Sequence, residues 1–98
     1  MTPLVETLTM NFTAYLAEFF GTFLLLISIL ATGNALVIGL TLALVIYLVG
    51  GLSGAHVNPA VSVAMLLNGS LSATELVIYA AVQIAGAIAA VYVFNALA

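Results

Sequence analysis

Three long apolar runs divide the chain, and short polar or glycine-bearing stretches separate them. The first covers residues 11–31 and is interrupted by Glu18 and Gly21. At about 1.5 Å of rise per residue, about 20 residues cross a hydrocarbon core of about 30 Å, so this run predicts a transmembrane helix. Tyr15, near its start, suits the membrane interface. Thr32-Gly33-Asn34 is a turn signal, and the second apolar run, residues 35–52, follows at once. So short a connection makes the first two helices antiparallel neighbours. Gly50-Gly51 is expected to close the second helix, because glycine supplies the left-handed geometry of a helix end. The third long run, residues 74–98, opens on Ser72-Ala73-Thr74-Glu75, a capping-box pattern in which Glu75 acts as a cap. Ala81, Ala85, Gly86, Ala89 and Ala90 lie along one side of it and suit close helix packing in lipid. Residues 1–10 are more polar, with Thr2, Glu6, Thr7 and Thr9, and Pro3 suits an irregular entry or a first helical turn.

Between the second and third long runs lies Ser53-Gly54-Ala55-His56-Val57-Asn58-Pro59-Ala60-Val61. Asn58-Pro59 reads as a helix cap followed by a first helical residue: asparagine accepts from free N–H groups, and the missing N–H of proline is harmless there. Ala60 to Leu67 is helix-permissive, and Asn68-Gly69 stops it. A helix over 58–67 is about 15 Å long and spans only half a hydrocarbon core. The pattern therefore predicts an all-α membrane protein with three transmembrane helices and one re-entrant half-helix, as a single unit over residues 1–98. Ser53 to Val57 would be non-helical backbone at membrane depth, tolerated only when buried in protein or lining a wet cavity. Its carbonyls, the Asn58 amide, the free N–H groups of Asn58, Ala60 and Val61, and the positive end of the half-helix describe a polar track through an apolar wall. Such a track suits water or a small neutral solute and disfavours cations.

Composition narrows the function. Of 98 residues, 66% are hydrophobic and 3% charged, against roughly 25% charged in soluble domains. Lysine and arginine are absent, so nothing neutralises nucleic-acid phosphates or binds anionic headgroups through a basic cluster. Their absence also removes the loop bias that sets membrane orientation, leaving dual insertion open. No cysteine is present, and a lone histidine, His56, cannot build a metal site, so no metal or cofactor is expected. No nucleophile–base pair or phosphate loop appears, so no catalytic residue is assigned and the chain reads as a non-enzyme. Phe19, Phe20 and Phe23 read as packing or lipid contact, and the sequons Asn11-Phe12-Thr13 and Asn68-Gly69-Ser70 as chance. Glu18 inside a membrane helix is costly, and its reading is a structural brace with Gln83 as partner.

The stretch Ser53 to Val61 resembles the first signature loop of the aquaporin–glycerol facilitator family. Ala17-Glu18-Phe19-Phe20-Gly21-Thr22 resembles that family's first helix, and Gln83-Ile84-Ala85-Gly86-Ala87 its third. Order and spacing match over nearly the whole chain, as the N-terminal half of the family's fold. The resemblance implies that Asn58 donates to the permeating molecule, and that Pro59 and Ala60 lock two facing half-helix tips together. It implies a carbonyl ladder from Gly54, Ala55, His56 and Val57, and a brace on the loop from Glu18 and Gln83. By family spacing, a constriction would be lined near Ile38, Ile46, Ala55 and Val61.

Two departures from the family pattern stand out. The family has two such halves, whereas a single Asn-Pro-Ala is present here. One half cannot enclose a pore. The expectation is an antiparallel homodimer about an in-plane two-fold axis, with four such pairs by family analogy. The alternatives are a split channel paired with a different chain and a non-conducting structural subunit of a larger membrane complex. The family's second loop also has arginine right after its Pro-Ala, where this sequence has Val61. All four mouth positions are apolar, so selectivity between water and glycerol does not carry over, and an apolar constriction favours dewetting.

Overall fold

The computed structural model of the protein describes residues 4–6 and 11–98. Thr2, Pro3, Thr7 and Thr9 lie outside the described residues. Four helices organise the rest: α1 Phe12–Thr32, α2 Ala35–Ser53, α3 Pro59–Leu67 and α4 Ala73–Leu97. No strand is present among the described residues. α1, α2 and α4 are each long and apolar enough to cross a membrane.

Local chemistry ends most of these helices where it should. Gly33 takes the left-handed conformation at φ 55° and caps α1. Asn34 then accepts from the Val37 amide at 3.0 Å and starts α2. Ser72 and Glu75 form a reciprocal capping box at the start of α4, with Ser72 Oγ accepting from Glu75 N and Glu75 Oε1 from Ser72 N. One expected boundary moves. Gly50 and Gly51 are helical, and α2 continues to Ser53. The left-handed stop is Gly54 at φ 86°, whose N–H donates to Gly50 O at 2.9 Å. Glycine permits a stop but does not impose one. The stop falls where Ser53 meets Glu18, one turn further on.

Contacts set the directions. Tyr15 meets Tyr79 edge-to-face at 5.8 Å, and Glu18 meets Gln83 at 2.8 Å, so α1 and α4 run parallel. A Cβ on Gly86 would lie 2.5 Å from the Phe19 carbonyl oxygen, which is how closely the two backbones approach. Glu18 reaches Ser53 while Gly21 faces Val45 and Val49, so α1 and α2 are antiparallel. The expected small-residue side of α4 is packed only in part: Gly86 and Ala90 are buried and Ala89 is partly buried. Ala81 and Ala85 are exposed, and the face turned to α1 carries Tyr79, Gln83, Gly86 and Ala90. That row is spaced four, three and four residues apart, which keeps one stripe of the helix against its neighbour.

The half-helix α3 enters and returns on the same side. Ser53 lies at the level of Tyr79, whose hydroxyl donates to its carbonyl at 2.8 Å. Ser62 lies at Gln83, one α4 turn or about 6 Å deeper. Further along α3, Met65 packs back against the Tyr15, Leu71, Ile78 and Tyr79 cluster. α2 is the least covered span: within it only Val45 and Ser53 are buried, and Leu36, Leu40, Leu44, Tyr47 and Leu48 are exposed.

Candidate functional site

The site is the loop between α2 and α3 with the side chains that hold it. Glu18 is completely buried, yet both its oxygens are fully used. Oε2 accepts from Ser53 Oγ at 2.7 Å and from His56 N at 2.9 Å. Oε1 accepts from Val57 N and Gln83 Nε2, each at 2.8 Å. Two successive loop amides thus converge on one carboxylate. This is how a charged group is accommodated in an apolar interior without a cation: every acceptor position meets a donor.

The carboxylate also holds strained backbone. Ala55 and Val57 have φ of 49° and 46°, a region that residues other than glycine rarely enter, β-branched Val57 least of all. Each such residue costs on the order of 1–3 kcal/mol. The strain is held by the Glu18 bonds and by packing of Ala55 and Val57 with Val45, Leu25, Leu42 and Val49. Gly21 makes room for this cluster, since a Cβ there would lie 2.9 Å from Val57 Cγ1.

With side chains and amides turned inward, the loop leaves its carbonyls behind. The carbonyl oxygens of Gly54, Ala55, His56 and Val57 accept no hydrogen bond within the described residues. Beside them Asn58 caps α3, with Oδ1 accepting from Ala60 N at 2.8 Å. That bond consumes one of the N–H groups expected to be free. It also fixes the amide orientation, leaving the Asn58 Nδ2 donors unpartnered within the described residues. Gly54, Asn58, Pro59 and Ala60 are exposed, and the described residues enclose no cavity. The Asn58 donors and the Gly54 backbone therefore lie at an open face, next to the buried residues Ala55, His56 and Val57.

The expected residues fall in different places. Glu18 and Gln83 meet directly, and both touch the loop or the half-helix that it starts. Of the mouth positions, Ile46 is exposed and Ile38 and Val61 are partly buried. The Ala55 side chain is packed inward with Val45 and Val57. Three contributors went unassigned in the sequence: Ser53, Ser62 and Tyr79. Ser62 is fully buried and joins His56 Nδ1 at 2.9 Å to Gln83 Nε2 at 3.0 Å. Tyr79 also lies against the His56 ring at 4.9 Å. A signal for two of them existed: Ser62 is the one polar side chain within α3, and Tyr79 sits one turn before Gln83. Among the described residues no group of three or more histidine, cysteine, aspartate or glutamate side chains could hold a metal.

Three apolar spans and a half-helix whose polar tip is pinned from within define an integral, multi-pass, all-α membrane protein. The chain belongs to the major intrinsic protein family, whose pattern matches residues 31–98. It is 46% identical over 85 residues to glycerol uptake facilitator protein-like 6 of Lactiplantibacillus plantarum, covering 78% of this chain and 39% of that protein. It is 42% identical over 97 residues to aquaporin Z of Brucella melitensis, covering 84% of this chain and 42% of the relative. Aquaporin-10 of the tardigrade Milnesium tardigradum is 39% identical over 97 residues, covering 84% and 24% respectively. The chain thus spans less than half the length of these relatives. No solved structure matches it.

Proposed function

We propose that the chain forms one half of a passive channel for water or a small neutral solute. The observation that carries this reading is the run of four unpaired carbonyls, Gly54 to Val57, beside the unpartnered amide donors of Asn58. Unpaired backbone cannot face lipid, because each unsatisfied group in hydrocarbon costs several kcal/mol. A file of polar molecules satisfies it: the carbonyls accept, Asn58 donates, and the positive end of α3 repels cations. Names of the relatives, an aquaporin and a glycerol uptake facilitator-like protein, support the same solute class.

The open face requires a covering wall. In our reading a second copy supplies it, inverted about a two-fold axis in the membrane plane, with the exposed Asn58-Pro59-Ala60 tips meeting. The absence of lysine and arginine supports this, since nothing biases the chain toward one orientation. Four such pairs follow by family analogy. Each mouth would then be lined near Ile38, Ile46 and Val61, with Ala55 contributing backbone only because its side chain is packed inward, and without a cation. The test is osmotic shrinkage of proteoliposomes holding the purified chain, with native mass measured in parallel. Shrinkage faster than in empty vesicles is expected, abolished by Asn58→Asp or Val61→Trp, with an even number of copies in the particle. Vesicles indistinguishable from empty ones would overturn the homomeric channel. Copurification with a different chain carrying the other half would assign the wall to that chain.

A further inference from the structure

Glu18, Gln83, Ser62 and His56 form a hydrogen-bonded chain whose directions follow one from another. The N–H groups of His56 and Val57 can only donate, so each Glu18 oxygen is an acceptor. Gln83 must therefore turn its nitrogen, not its oxygen, toward Glu18 Oε1. The reverse would set two acceptor oxygens 2.8 Å apart. This choice leaves Gln83 Oε1 buried without a partner, an orphan that the geometry thereby explains. The same nitrogen donates its second hydrogen to Ser62 Oγ at 3.0 Å. Ser62 is then an acceptor from Gln83, and its own hydrogen needs an acceptor. His56 Nδ1, at 2.9 Å, is the partner it has, and Ser62 Oγ makes no other hydrogen bond within the described residues. Nδ1 accordingly bears the lone pair.

We propose that Ser62, oriented from Glu18 through Gln83, locks His56 in the neutral tautomer with its proton on Nε2. The far side of the ring agrees. Nε2 makes no hydrogen bond within the described residues and lies 3.0 Å from where a Gly54 side chain would begin. Gly54 caps the C-terminus of α2, the negative end of that helix, which favours an N–H over a lone pair. The loop therefore carries a donor edge there and no positive charge. His56 holds this tautomer whether or not the chain conducts.

His56 is the single histidine in the sequence, so a histidine label reads this site alone. The experiment is solid-state nitrogen NMR of the full chain, labelled with 15N-histidine, in lipid bilayers at neutral pH. The expected spectrum has a bare, hydrogen-bonded Nδ1 and a protonated Nε2. A proton on Nδ1, or on both nitrogens, would overturn the proposal. In Ser62→Ala both neutral tautomers are expected, with the ratio moved several-fold, while Ser62→Thr restores the single form. A Ser62→Ala spectrum identical to the wild type also overturns it. Should Ser62→Ala not fold, the wild-type and Ser62→Thr spectra still decide.

Discussion

Replacing Glu18 with glutamine tests how the loop is held while changing little in volume. A glutamine offers one acceptor oxygen and one NH2 group where the carboxylate has two oxygens. With its oxygen at the Oε1 position it keeps Val57 N and Gln83 Nε2, both weakened from charge-assisted to neutral, or by about half. Its NH2 then faces Ser53 Oγ and His56 N. Ser53 can reorient, because its hydroxyl already lies 3.4 Å from the Val49 carbonyl. The His56 amide has no alternative, and a buried unpaired N–H costs about 1–3 kcal/mol. Removing a charge from an apolar interior acts the other way, by relieving desolvation, but the four donors at Glu18 already offset most of that cost. A net destabilisation of about 2 kcal/mol is expected, about thirty-fold in the folding equilibrium. The assay is unfolding in mixed micelles of rising dodecyl sulfate content, followed by helical circular dichroism because the chain has no tryptophan. Amide exchange at His56 and Val57 should accelerate in the variant before the helices do. Wild-type stability with both amides still protected would refute the claim that the carboxylate holds the loop.

Two further predictions concern the frame around that loop. Gly86→Ala pushes a methyl to within 2.5 Å of the Phe19 carbonyl oxygen and should cost about 1–3 kcal/mol, whereas Gly39→Ala, with nothing within 4 Å, should be neutral or stabilise by up to about 1 kcal/mol; the same micelle titration compares them, and equal effects would deny close α1–α4 packing. Ser72→Ala removes the cap on α4 and should cost about 1 kcal/mol, read as faster amide exchange over residues 73–77 with the rest of α4 unchanged.

Much of the molecule was legible along the chain. The three spans, the half-helix opening at Asn58-Pro59 and the capping box at Ser72 depend on interactions within a few residues, or on run length against bilayer thickness. The sequence by itself determined these because short-range chemistry and the solvent suffice to decide them. Among the long-range partners, Gln83 was read from the sequence as the partner of Glu18, whereas the contact of Ser53 with Glu18, 35 residues apart, was decided by the tertiary structure alone. The end of α2 at Gly54 rather than Gly50-Gly51 depends on where Ser53 meets Glu18. The packed stripe of α4 depends on which face the parallel α1 presents, so Gly86 and Ala90 are covered while Ala81 and Ala85 are not. Ser62 looked like an ordinary polar residue in an apolar half-helix until packing placed it between Gln83 and His56. Positive φ at Ala55 and Val57 could not be read from residue type, because both types disfavour it locally. Such a conformation survives only where a buried carboxylate and a packed cluster outweigh the local preference, and that balance exists only in the folded chain.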